Sequence, residues 1–137
     1  LMARPEIRLD LSGMERLLRQ QPERSARWLD AVAEDIVSDV KLSMGTSPPG
    51  RAYPRGNTVH VASQPGYPPN VDTGNLRASI GWRRLAPLDR EVRDGVDYGA
   101  GLEFGHGRVA ARPFMRPVFV AWRLKIGRDA RRRLNLV

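Results

Sequence analysis

Apolar residues fall on two different periods along this chain, and the changes of period mark its elements. Residues 6–11, Glu-Ile-Arg-Leu-Asp-Leu, alternate charged and apolar side chains, the pattern of a half-buried strand. Ser12-Gly13 interrupts it, and Met14-Glu15-Arg16-Leu17-Leu18 predicts a short helical turn. Pro22 suits the first turn of a longer helix, where its missing N–H costs nothing, and Glu23 suits that helix's positive end. Leu29, Val32, Ala33, Ile36, Val37, Val40 and Met44 then recur at helical spacing. Asp30, Glu34, Asp35, Asp39 and Lys41 occupy the other face, which reads as solvated or as a contact between subunits. Gly45 ends the helix.

Residues 45–71 change character. Six prolines and three glycines (50, 56 and 66) beyond Gly45 predict an extended loop or arm outside the core. Within it Thr58-Val59-His60-Val61 alternates and fits a short hairpin arm, while Arg51, Tyr53, Arg55 and Tyr67 suit an interface. Pro65, Pro68 and Pro69 then stiffen the approach to a corner, Asp72-Thr73-Gly74, followed by Leu76 and Arg77. Asp72 and Thr73 are expected to turn their side-chain oxygens onto amides just downstream, and Gly74 to take a positive φ.

After the corner, Leu76 to Leu85 reads as a turn of helix feeding a strand through Ile80 and Trp82. Pro87 ends that strand, and Arg90 to Val96 predicts a second one, antiparallel to it across Leu88-Asp89. Tyr98 to Phe104 predicts a short helix packed under the sheet. Pro113-Phe114-Met115-Arg116-Pro117 is a second stiff corner, with Pro117 opening the last helix and Phe119, Trp122, Ile126, Ala130 and Leu134 as its apolar stripe. Gly127 weakens the middle of that helix, so its final turns are expected to fray or to order on contact. The fold class is α+β: a small antiparallel sheet packed against one long helix and a C-terminal helix, with a long Pro/Gly-rich loop or hairpin arm. The 137 residues suit a single domain.

Composition narrows the chemistry. Cysteine is absent, which removes disulfides, thiolate metal sites and cysteine nucleophiles. No apolar run reaches the length of a membrane span and no signal-peptide pattern opens the chain, so no membrane association is expected. The formal charge is +8, and residues 112–137 hold eight basic residues against Asp129 alone, a net +7 of that total. Such a segment meets nucleic acid, an acidic protein partner or water.

Three possible sites of chemistry were weighed. Asp-Thr-Gly is the triplet of retroviral-type aspartic proteases, but those seat it at the end of an apolar strand, and Pro69 cannot lie inside a central strand. A turn is the better reading. The glycines around Tyr98 to Gly107 lack the buried strand and long helix of a phosphate-binding loop. His60 and His106 are the only histidines, with no metal-ligand spacing, and neither Ser63 nor Ser79 has a base nearby in sequence. No catalytic residue, metal or cofactor is therefore assigned, and the chain is read as a non-enzyme.

Three blocks in order carry more information: Pro-Pro-Asn-Val-Asp-Thr-Gly-Asn-Leu-Arg-Ala-Ser-Ile at 68–80, Tyr98 with Leu102-Glu103-Phe104-Gly105, and Ala111-Arg112-Pro113-Phe114-Met115-Arg116-Pro117. Together they resemble the neck and tail-completion family of long-tailed bacteriophages, the minor tail components of lambdoid head–tail joining, over about residues 6 to 122. His106 stands where that family usually has Thr, and the insert before Asp72 is long. The resemblance implies a structural virion protein, made in the cytoplasm of a bacterial host. It implies a ring, hexameric in the family, that joins the connector or stopper ring to the tail-tube protein, with DNA passing through transiently. In such a ring Asp35 and Asp39 of one subunit are expected to meet Arg128, Arg131 and Arg132 of the next. The alternative is a basic nucleic-acid-binding accessory protein, supported by the C-terminal charge.

Overall fold

Strand β1 (Glu6–Asp10) lies beside a strand from the far half of the chain, so the sheet closes only after most of the chain is made. The computed structural model describes residues 5–10, 14–72 and 74–135. After β1 come α1 (Glu15–Arg19), α2 (Pro22–Ser43), β2 (Pro49–Arg55), β3 (Thr58–Ser63), α3 (Asn75–Ser79), β4 (Gly81–Ala86), β5 (Asp89–Arg93), α4 (Gly99–Phe104) and α5 (Arg116–Leu134). One antiparallel sheet has the order β1-β5-β4, and β2 pairs with β3 in a separate hairpin. The class is α+β. Helix α2 packs on β4 and β5, and α5 takes α2 as its principal partner. Among the described residues no helix is long and apolar enough to cross a membrane.

The stripe read on α2 is the core. Leu29, Val32, Ala33, Ile36 and Val40 are fully buried, and Ile7, Leu9 and Val92 meet them from the sheet. Strand β5 is the centre of that sheet, and its inward positions Arg90 and Val92 are fully buried, as is Asp94 just past its end. A buried guanidinium is tolerated only when its donors are satisfied. Arg90 donates from Nε to Asp30 Oδ1 of α2 at 2.7 Å, and from its terminal nitrogens to the carbonyls of Ala86 at 2.8 Å, Pro87 and Asp89 at 3.2 Å, and Ala26 at 3.3 Å. It therefore ties the β4–β5 turn to the first half of α2. Ala86 pairs with Asp89, so the turn lies at Pro87-Leu88 rather than at Leu88-Asp89. The strand also ends at Arg93, earlier than expected, because the buried Asp94 carboxylate accepts the Val96 N–H at 3.2 Å and turns the chain.

The carboxylates on the other face of α2 have partners within the chain. Asp30 binds Arg90, Glu34 accepts the indole N–H of Trp82, Asp39 accepts that of Trp122 at 2.8 Å, and Asp35 lies 3.4 Å from Arg133. Trp28 of α2 donates in turn to Asp129 of α5 at 2.9 Å. These cross-links lie along α5, which runs through Gly127 to Leu134 with Ala130 and Leu134 buried. Phe119 is an exception in the expected stripe: it is exposed, and Val118 packs against the core in its place.

Residues 45–71 form a two-stranded arm longer than the Thr58–Val61 segment suggested. β2 carries Pro49 and Pro54 and is exposed at every residue, as an edge strand with missing donors can be. Gly50 is required where the ladder shifts register, because a Cβ there would lie 2.6 Å from the Ser63 carbonyl oxygen.

The solvent face of the main sheet is a charge ladder. Arg83 Nε donates to Glu91 at 2.8 Å, and Arg93 Nε lies 3.7 Å away. Burial pushes the Glu91 carboxyl up, but the hydrogen bonds from Arg83 and Glu6 and the two arginine charges outweigh it, so its pKa lies below the ordinary range. Burial, and then the hydrogen bond and charge of Glu91, hold Glu6 above that range. Glu91 therefore contributes stability above the ordinary carboxyl pKa that is lost as pH falls through its lowered value. Glu6 contributes below the ordinary pKa and loses that contribution as pH rises through its raised value. Glu6→Gln should raise the melting temperature at pH 7 and leave it unchanged in acid, where Glu6 is already neutral. A lower melting temperature at pH 7 would contradict this assignment.

Candidate functional site

Helix α5 begins at Arg116 with no side-chain cap from its own N-cap, Met115. Its first amides point at a carboxylate from another element instead. Glu103, in the last turn of α4 and 5% exposed, accepts the N–H of Phe114 at 2.8 Å and of Met115 at 3.1 Å on Oε2, and of Arg116 at 2.8 Å on Oε1. A negative group at the positive end of a helix is favourable, and the bonds are charge-assisted. This contact fixes the second corner. The Arg112 N–H then donates to the Leu102 carbonyl at 2.6 Å, and the Arg112 side chain is carried toward the arm, where Nε donates to the Ser63 carbonyl at 3.2 Å.

The first corner reaches the same place. Gly74 has φ +84°, as expected of it. Asp72, however, does not turn downstream. Its carboxylate reaches back to the arm, accepting from Arg55 with Nη2 at 3.0 Å and lying 3.7 Å from His60 Nδ1. Arg55 and His60 sit on facing arm strands near the turn, so a carboxylate there latches the hairpin to the body. Thr73 lies outside the described residues. Asn70 Nδ2 donates to the Val61 carbonyl at 3.2 Å, and the Gly66 N–H to the Ala111 carbonyl at 2.8 Å.

Between arm, corners and α4 lies a cleft of about 250 Å³, lined by Tyr53, Arg55, His60, Ser63, Asn70, Asp72, Leu102 and Arg112 among others. A second opening of about 390 Å³ shares Arg55, His60, Asn70 and Asp72. Two polar atoms of residues that line the first, Ser63 Oγ and Asn70 Oδ1, are buried and find no hydrogen-bond partner among the described residues. Such atoms are costly unless something meets them. Among the described residues the guanidinium of Arg112 bonds only to neutral carbonyls, those of Ser63 and, at 3.4 Å, Ala110.

The residues singled out from the sequence separate into groups. Tyr53, Arg55 and Asp72 come together in the cleft, and Arg51 stacks on Tyr53 with its guanidinium 5.2 Å from the ring centroid. Tyr67 is exposed after the arm, Leu76 is buried at the start of α3, and Arg77 is exposed. Asp35 and Asp39 belong to the α2–α5 seam, and Arg132 pairs with Asp129 at 3.3 Å in its own helix. Arg128 and Arg131 face outward on α5. His60 and Ser63 were considered in the sequence for metal or nucleophile chemistry and assigned no role, and Asn70, Glu103 and Arg112 were not singled out. For Asn70, Glu103 and Arg112 the only signal was membership of the three blocks.

No protein-family model, curated protein or solved structure matches the chain.

Glu103→Ala should cost about 3 kcal/mol in urea denaturation, because buried amide donors lose a charged acceptor. Glu103→Gln, which keeps one acceptor oxygen, should fall between alanine and wild type. A loss below about 1 kcal/mol for the alanine variant would show that the amides find other partners.

Proposed function

We propose that the chain is a structural subunit of a phage or prophage-derived particle, acting in a hexameric ring that joins the connector to the tail tube at the head–tail junction. The observation that carries this reading is the meeting of the three sequence blocks. Asn70 and Asp72 of the first, Leu102 and Glu103 of the second, and Arg112 to Arg116 of the third are far apart in the chain. They are nevertheless joined by the Glu103 contact and by the cleft. The blocks therefore specify one arrangement rather than three local turns. The arm supports the same reading, because an exposed two-stranded hairpin with Tyr53, Val59 and Val61 at its surface offers a neighbour both edge and apolar area. The engagement of Asp72 by Arg55 and His60 disfavours the protease, which needs that carboxylate to share a proton with a second one.

The contact between subunits is revised. Asp35 and Asp39 have partners within their own chain, and so do Arg132 and Arg133, so the proposed contact is moved to arginines of α5 without such partners. Arg116, Arg123, Arg128 and Arg131 remain exposed on α5 and have no carboxylate partner among the described residues. They surround Val120 and Leu124, which is 79% exposed. This face suits an acidic neighbour. It is also the observation that favours the second reading, a nucleic-acid-binding accessory protein.

Electron microscopy of the purified protein, alone and mixed with tail tubes, should show rings, and replacing Arg128 and Arg131 by Glu should abolish them. A monomer in both settings, with duplex affinity that falls steeply as salt rises, would overturn the ring in favour of the nucleic-acid reading.

A further inference from the structure

The cleft has a definite chemistry. Arg55 is neutralised by Asp72, so the uncompensated charge in the wall is the Arg112 guanidinium, held by two neutral carbonyls. A cleft with one net positive charge fits a monoanion. The Asp72 carboxylate in the same wall opposes a doubly charged group such as phosphate. The planar fork of a carboxylate is what a guanidinium pairs with best. Ser63, 1% exposed, carries a hydroxyl with no partner, able to donate to the same anion.

Asn70 adds a second requirement. Its Nδ2 is used on Val61, which fixes the orientation of the carboxamide and leaves Oδ1 as a buried acceptor without a donor. A bare carboxylate brings no N–H, whereas a peptide bond beside an acidic side chain does. Tyr53, Pro69 and Leu102 complete the wall with apolar surface suited to the stem of such a side chain.

We propose that this cleft is a receptor for an acidic residue of an extended peptide segment, its carboxylate taken by Arg112 and the Ser63 hydroxyl and its backbone N–H by Asn70 Oδ1. The latch between Asp72 and Arg55 holds the arm in place to form one side of it. The proposal does not depend on ring formation, because it concerns what one chain can bind.

The test is titration of the full chain with acetyl-Ala-Glu-Ala-amide, followed by the nitrogen-15 shifts of Arg112 Nε–H and of the Ser63 and Asn70 groups. Saturable shifts confined to the cleft are expected. The isosteric Gln peptide should bind at least tenfold more weakly, a difference of about 1.4 kcal/mol. Acetate and inorganic phosphate should bind more weakly still. Ser63→Ala, which removes an unpaired hydroxyl and keeps the fold, should weaken the Glu peptide several-fold with no fall in melting temperature. Equal binding of the Glu and Gln peptides, or an unchanged affinity in Ser63→Ala, overturns the carboxylate assignment. Acetate binding as tightly as the Glu peptide overturns the peptide, and phosphate binding as tightly overturns the monoanion.

Discussion

One buried carboxylate holds the C-terminal third of this protein in place. An α-helix begins with amides that have no partner in their own helix, and the usual remedy is a side chain immediately before it. Here the remedy comes from Glu103, in a different helix, which accepts three successive amides across the 113–117 corner. A local cap fixes one turn, whereas this one fixes α4, the corner and α5 relative to each other. Because Arg112 sits just before the corner, its guanidinium is aimed at the arm by the same contact. The cleft follows from that geometry.

Carboxylates also accept donors along α2 and α5. All three tryptophans give their indole N–H to a carboxylate: Trp28 to Asp129, Trp82 to Glu34 and Trp122 to Asp39. Arg90 gives its whole fork to Asp30 and four carbonyls. These large apolar rings thus pack between α2 and its neighbours while their one polar atom is satisfied by a carboxylate, which links α2 to α5 and to the sheet. Burial of the α2 stripe drives the association, and these polar links select one arrangement from among the many that burial alone would permit.

The parts of the fold written in local pattern were legible in the sequence. The α2 stripe, the alternation of β1, the Gly74 turn and the two prolines that open α2 and α5 each depend on residues within a few positions of one another. What could not be read depends on partners remote in sequence. An acidic residue on a helix face looks the same whether it meets water, a neighbouring subunit or a tryptophan 83 positions away, as Asp39 does. Asp72 next to Thr73-Gly74 has the local form of a cap, yet Arg55 and His60 are brought within its reach by the register of a hairpin that six prolines obscured. Gly127 weakens an isolated helix, but α5 is not isolated. Of the cleft, Tyr53 and Arg55 stand out in the sequence as interface residues of the arm and Asp72 as part of the corner, and nothing in the pattern says that they meet.

The functional reading rests on the blocks at 68–80, 98–105 and 111–117 acting as one unit, and within that unit Glu103 joins the second block to the third. The most direct measurement is native-state hydrogen exchange of the Phe114, Met115 and Arg116 amides. Ordinary first-turn amides open readily, but amides held by a buried carboxylate should exchange only with opening of the α4–α5 junction, as slowly as the core amides of α2. Exchange of all three at the rate of exposed arm amides in β2 would contradict the account, because the second and third blocks would then be neighbours without being joined.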